Sequence, residues 1–399
     1  MHSDKDLSKI SWELSLVRIA FVLTFPGFFL YHTLLGIGFI SPFLDGYLTN
    51  VLLLFLAPML ICYLSIYFKH SGFLTIIDIV YFVFIVYFLF IVLLNAAYGA
   101  DIEIVRGHII AVIQFFVIYL MFKMLDIDNN NFKVVTFLNF LIMSLIIFYF
   151  SSDGLFNLKS TGSVVNSEMV ATYQSFGMVY FLNFLILIIL TRSIGIRFIL
   201  YLVSVAALYL NNARSEFVAL IVLIPVIELY FTRHRILFTI FLSSIIAFLI
   251  SGFGLILSYI PHNRTLLLLD LQLDVSALER KRLSALGYET IFQHPIFGDY
   301  ASYSYGDYIH NIFSAWVDLG LFGFVFLLLL LIIPFLNIVY DCFLKNKKSS
   351  LLLFSGCLIS VTILLLFEAK YFTYQLVPAS IGVYSSYLFN KSKIKHSKT

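Results

Sequence analysis

Residues 310–340 read HNIFSAWVDLGLFGFVFLLLLLIIPFLNIVY. Beyond Asp318 the run carries no charged side chain to its end at Tyr340. A helix rises 1.5 Å per residue, so about 20 such residues cover the roughly 30 Å hydrocarbon core of a bilayer. A strand of an outer-membrane barrel would alternate polar and apolar side chains instead. The stretch therefore reads as a transmembrane helix entered through His310-Asn311.

The rest of the chain has the same character. Of its 399 residues 61% are hydrophobic and 12% charged, about half the charge of an average soluble protein. That leaves too little polar surface for a water-soluble globule and excludes a cytosolic enzyme, a secreted domain or a disordered chain. The expected fold is all-α, a polytopic helical membrane protein of about twelve spans at 14–40, 47–68, 74–98, 104–124, 133–150, 167–190, 195–210, 215–231, 236–257, 310–340, 350–367 and 371–389. The first apolar stretch is too long for a cleaved signal peptide and lacks a small-residue cleavage site. A net charge of +3 suggests no nucleic-acid partner. Cys62, Cys342 and Cys357 sit in or beside apolar segments and read as packing residues, not disulfides or metal ligands.

Orientation follows from the basic residues. With both termini inside, 17 of the 25 lysines and arginines fall on the inner side, the asymmetry of a chain whose termini are cytoplasmic. The basic tail after Phe389 then lies against anionic headgroups. Four segments follow: 1–194, the N-terminal helices; 195–257, the central helices with the Arg214 junction; 258–309, a large outer loop; and 310–399, the C-terminal helices and tail. Long loops tend to be functional. This one has an acidic-then-basic helical stretch, Leu271 to Glu289, and a Pro/Gly/Tyr-rich segment, His294 to Tyr308.

Few residues are equipped for chemistry. Arg214 stands in Asn211-Asn212-Ala213-Arg214-Ser215-Glu216, where Asn212 or Asn211 can cap the helix that follows. Arginine with the free N–H groups of a helix start is a phosphate site; the competing role is an arginine paired with Glu216 or with headgroups. In Glu279-Arg280-Lys281-Arg282, three adjacent cations cannot share one helical face, so a solvated basic surface competes with a headgroup or pyrophosphate site. His294-Pro295-Ile296-Phe297-Gly298 is a turn by composition. Neutral histidine is the usual general base near pH 7, which marks His310; an interfacial, helix-capping histidine is the alternative. His310 and Ser314 are spaced for one helical face, Asp318 is too far along the axis to orient His310, and Gly320 and Gly323 admit a close neighbouring helix.

The ionisable residues near or within spans, Asp78, Arg106, His108, Glu168, Glu228 and Glu368, are functional candidates by cost alone. Asp78 and Glu228 lie toward the inner side and suit pairing with basic ends, as structural groups. Arg106 and Glu168 lie toward the outer side and suit a polar chamber. Asp126-Ile127-Asp128 spells a glycosyltransferase metal motif but reads as a polar turn, with no nucleotide-binding domain around it. No Walker loop, G-x-S-x-G or H-E-x-x-H occurs.

Three of these segments, in this order, resemble the O-antigen polymerase and ligase family of bacterial inner membranes. They are Ala213-Arg214-Ser215 opening a mid-chain span, Arg282-Leu283 leading to His294-Pro295-Ile296-Phe297-Gly298 in a large loop, and His310-Asn311 followed by Asp318-Leu319-Gly320-Leu321-Phe322-Gly323. The likeness covers roughly residues 195–340. Ala213 stands where serine or glycine is common and Asp318 where glutamate is frequent, and Arg280 and Lys281 compete with Arg282 as the matching cation. The resemblance implies a GT-C-like glycosyltransferase that inverts, needs no metal or cofactor, and works on the periplasmic face of the inner membrane. Its donor is a glycan on undecaprenyl pyrophosphate. Its acceptor is another lipid-linked repeat unit in a polymerase, the preferred expectation, or lipid A–core in a ligase. His310 would be the base, and Arg214 and Arg282 would hold the pyrophosphate. Arg280, Lys281, Arg264 and Asn311, with Arg106 and Glu168, complete the expected binding set. A chain-length regulator and a flippase are the implied protein partners. The rival class is a flippase or transporter of lipid-linked sugars, expected to line a central cavity with cations; a non-catalytic scaffold is the remaining option.

Overall fold

The computed structural model of the chain describes residues 11–396 apart from 45, 153, 157–169, 233, 235, 241–242, 245–250, 252–264 and 266–274. Among these residues, eight helices are long and apolar enough to cross a membrane: Trp12–Gly36, Tyr47–Lys69, Ile76–Ala97, Ile102–Met124, Asn130–Tyr149, Tyr173–Leu190, Ser314–Leu344 and Ser350–Glu368. The chain is an all-helical, multi-pass membrane protein. A two-stranded hairpin, Ser151–Ser152 against Leu155–Phe156, is its β-structure among the described residues.

The helices are α1 (Ser11–Thr24), α2 (Pro26–Gly36), α3 (Tyr47–Lys69), α4 (Ile76–Ala97), α5 (Ile102–Met124), α6 (Asn130–Tyr149), α7 (Tyr173–Leu190), α8 (Ile194–Leu210), α9 (Arg214–Phe231), α10 (Val275–Gln293), α11 (Ser314–Val339), α12 (Ser350–Glu368) and α13 (Leu376–His396). Most expected spans recur within a few residues. The span expected over 167–190 begins at Tyr173, while the stretch expected to span over 371–389 is the helix α13, Leu376–His396, which is not among the eight. The expected span 195–210 is a 17-residue helix, and that over 215–231 carries Glu216 and Glu228. Most of the expected span 236–257 lies outside the described residues, as does the start of the stretch expected from Leu271.

The chain divides into two compact units that cut across the four sequence segments. The first comprises residues 1–28, 43–132 and 275–399, the second 29–42 and 133–274. In the first, α13 lies along α5 and against α12, and α3, α4 and α11 complete the bundle. Gly382 allows this close pairing: a Cβ there would stand 2.7 Å from the Tyr119 carbonyl oxygen of α5. In the first turn of α4, the fully buried Asp78 accepts hydrogen bonds from Tyr119, Lys123 and Ser385. It also closes a capping box with Thr75. Burying the charge is tolerable because every oxygen is satisfied, so Asp78 is structural.

In the second unit α7, α8 and α9 pack together. Arg197 of α8 makes a two-pronged bond to Glu228 of α9 at 2.6 and 2.7 Å, and Tyr201 donates to the same carboxylate at 2.7 Å. Glu228 thus takes the structural role expected of it. Cys62, Cys342 and Cys357 are free and buried.

Candidate active site

The site begins with a broken helix. Gly320 interrupts α11 with φ 68° and ψ −179°, a conformation open to glycine. The turn His294–Gly298 docks into that break. The Leu321 amide donates to the Ile296 carbonyl at 2.9 Å, the Asp299 amide to the Val317 carbonyl at 2.9 Å, and the Trp316 indole to the Pro295 carbonyl at 2.8 Å. Gly298, at φ 68°, meets the same backbone from the other side. A Cβ on Gly298 would stand 2.3 Å from the Val317 oxygen, and one on Gly320 would stand 2.7 Å from the Ile296 oxygen. The second and third motifs are therefore one interlocked piece. Gly320 receives a loop turn where the sequence suggested a helix, whereas Gly323 does face a neighbouring helix, through Tyr87 of α4.

Docking the turn aims Asp318 at a cluster of tyrosines. Asp318 is buried and accepts from Tyr371, from Tyr303 at 3.0 and 3.1 Å, and from the Ala301 amide at 3.3 Å. Tyr371 also meets His108 Nε2 at 2.7 Å, and His108 Nδ1 meets Tyr300 at 2.8 Å. With Asp318 ionised, one proton order gives every donor an acceptor: Tyr300 donates to Nδ1, Nε2–H donates to Tyr371, and Tyr371 donates to Asp318. Burial, then the Asp318 charge, raises the pKa of Tyr300 and Tyr303, which keeps them as donors. The network joins the loop, the start of α5, the start of α11 and the connection before α13.

His310 stands on this floor. Its ring stacks on Tyr308 at 4.7 Å and 25°, and Tyr308 touches Tyr371 at 4.5 Å. His310 Nδ1 lies 2.8 Å from the Tyr308 carbonyl oxygen. A carbonyl only accepts, so Nδ1 carries the proton and Nε2 keeps its lone pair. Burial depresses the His310 pKa, the bond to the Tyr308 carbonyl partly offsets this, and the charges of Arg280 and Lys370 depress it further. The ring is thus neutral near pH 7, with two cations in its field. His310 and Ser314 do not share a helical face, because α11 starts only at Ser314. Asn311 makes the entry turn: its side chain accepts from the Phe313 amide at 2.9 Å, and its carbonyl accepts from the Ser314 hydroxyl at 2.6 Å. As expected, Asp318 does not contact His310 directly; it acts through Tyr371 and Tyr308.

The remaining sequence candidates divide. On α10, Arg282 is engaged by Glu279 at 2.5 to 3.0 Å with 55% of its side chain exposed, and Lys281 is also exposed. Arg282 still borders a cavity of about 410 Å³ with Glu289, Thr290, Gln293, Tyr303, Asp307 and Asp318. Arg280, on the same helix, adds its positive charge to the surroundings of His310. Arg106 is exposed on α5, two residues and about 200° around the helix from the buried His108, so the structure does not bring it to the tyrosine network. Glu168 and Arg264 lie outside the described residues. His294 is exposed in the docked turn.

Arg214 belongs to the second unit, as the first residue of α9. Neither asparagine caps this helix. Ala213 holds the cap position with no side-chain bond, Asn212 takes φ 61°, and Asn211 donates to the Tyr173 carbonyl at 2.9 Å. Glu216 is buried and accepts from Ser215 at 2.7 Å.

Tyr300, Tyr303, Tyr308, Tyr371 and Lys370 escaped the sequence reading. The signal for Tyr300, Tyr303 and Tyr308 is the Pro/Gly/Tyr-rich segment His294 to Tyr308; Lys370 and Tyr371 carry none. Asp126-Ile127-Asp128 is a turn, with the Asp128 amide donating to the Asp126 side chain at 3.2 Å. Among the described residues, no three of His, Cys, Asp and Glu gather as a metal-ligand set.

Compared with known proteins, the chain matches no protein-family model and no curated sequence. Function therefore has to be argued from the site.

Proposed function

We propose that the chain is an inner-membrane polymerase of the O-antigen type, which transfers a glycan from undecaprenyl pyrophosphate to a second lipid-linked repeat unit on the periplasmic face. The observation that carries this reading is the neutral His310, with its Nε2 lone pair, in the field of Arg280 and Lys370. The three-part motif order resembling that family supports it. In this reading the chain crosses the membrane about twelve times in a GT-C-like arrangement, with both termini cytoplasmic.

The chemistry matches the residues. His310 Nε2 takes the proton of the acceptor hydroxyl as its oxygen attacks the anomeric carbon. The bond from that carbon to the pyrophosphate oxygen breaks on the opposite face, so the configuration inverts. The leaving group departs as an anion and needs no acid to protonate it. Arg280 and Lys370 stabilise the charge that develops on it, where part-burial strengthens their effect. The polar cavity beside Arg282, with hydroxyl, amide and carboxylate groups, suits a sugar. Arg214 carries the part of the resemblance outside this unit, and its proposed role is anion binding at a helix start.

Deletion of the gene tests the reading. The expected surface glycan is core capped with a single repeat unit in place of a chain-length ladder. Bare core with long lipid-linked chains would assign the ligase activity instead. An unchanged ladder would exclude both.

A further inference from the structure

The helices that start at the tyrosine network end at a second polar feature. Here α3, α5, α12 and α13 surround a cavity of about 930 Å³. Lys123, Lys347, Lys348, Lys391 and Lys393 line it, together with His70, Asp126 and Asp128. The buried Asp341, 1% exposed, draws two of the lysines together: Lys391 at 2.5 Å and Lys347 at 3.1 Å, while Tyr387 donates to it at 2.6 Å. Lys123 is engaged by Asp78. Lys348 stands directly before the capped start of α12, where Ser349 accepts from the Leu352 amide at 3.1 Å, so the positive end of that helix adds to the field. Lys393 lies over the Phe389 ring at 4.3 Å. The remaining wall is apolar, formed by Ile66, Phe73, Leu352 and Phe389 among others.

We propose that this cavity binds a phosphate ester, the headgroup of an anionic phospholipid. A water-filled basic cleft would have no use for the apolar wall, and a purely greasy gap would not place Lys348 and Lys393 beside the three lysines that Asp78 and Asp341 hold. The combination fits a charged headgroup whose chains continue along the bundle. The site is separate from His310 and independent of the acceptor used there.

The test uses the purified full chain in phosphatidylcholine nanodiscs, read by thermal unfolding and native mass spectrometry. One arm raises the phosphatidylglycerol fraction; the other adds soluble glycerol phosphate. Stabilisation by phosphatidylglycerol alone identifies a membrane headgroup, and stabilisation by both identifies a phosphate site open to soluble esters. K348Q/K393Q leaves the Asp341 trio intact. It should weaken binding on the order of 25-fold, at roughly fivefold per lysine, and K348R/K393R should retain it. Leu351→Trp, which narrows the cavity without touching a charge, should weaken binding too, so the site stays testable if the glutamine pair unfolds. No stabilisation in either arm, or equal stabilisation of the wild type and K348Q/K393Q, overturns the proposal.

Discussion

His310, the base of the proposed reaction, is held in one protonation state by its surroundings. The Tyr308 carbonyl holds the proton on Nδ1, and burial with the charges of Arg280 and Lys370 resists a second proton. A depressed pKa keeps the ring neutral to lower pH than free imidazole, so the acid limb of polymer formation should fall below the ordinary value of 6.5. Arg280→Gln removes one depressing charge and should move that limb upward, while also slowing transfer if Arg280 meets the leaving group. A pH profile in membranes carrying synthetic lipid-linked repeat units measures both, and an unmoved limb would remove Arg280 from the site. His310→Ala should reduce transfer by about 100-fold or more, the usual contribution of a general base, with insertion unchanged. Tyr371→Phe removes a donor to Asp318 and a partner of His108 without touching the reacting atoms. It should lower the rate less than His310→Ala does.

At the level of elements, the break in α11 and the turn at 294–298 form one unit held by reciprocal backbone bonds. Gly320→Ala would force a side chain into φ 68° and against two carbonyl oxygens, and Gly298→Ala would do the same from the other side. Each should cost at least about 1–3 kcal/mol of local stability. Limited proteolysis around residues 294–308 measures this, and wild-type resistance in both variants would show that the interlock is not what holds the loop. The spans were legible because hydropathy alone dictates them: α4, α5 and α12 begin and end within a few residues of expectation. The break was not legible, because a glycine in an apolar run reads as a helix contact, and its backbone angles are set by a turn more than 20 residues away in sequence. His310 was marked by chemistry, but its position ahead of α11 depends on the Asn311 turn. The tyrosines could not be foreseen, since Tyr303 and Tyr371 are 68 residues apart and meet only through Asp318 and each other.

Over the whole of the first unit, charge is gathered at two ends. α5, α11 and α13 all start beside the tyrosine network and all finish near the lysine-lined cavity. The 23 residues of α5 span about 35 Å at 1.5 Å per residue, slightly more than the roughly 30 Å of bilayer hydrocarbon. The two polar ends therefore belong on opposite faces of the membrane. In the proposed orientation, which rests on the distribution of lysine and arginine, the lysine end faces the cytoplasm. Single cysteines report this directly, because Cys62, Cys342 and Cys357 are buried and give little background. Ser302 and Lys348 are both exposed, one in the loop beside His310 and one before α12. With a membrane-impermeant maleimide on spheroplasts, Ser302→Cys should label at once and Lys348→Cys only after the membrane is opened. Labelling of both from one side would refute the spanning arrangement. The reverse order would keep the spans, place His310 in the cytoplasm and exclude transfer on the periplasmic face.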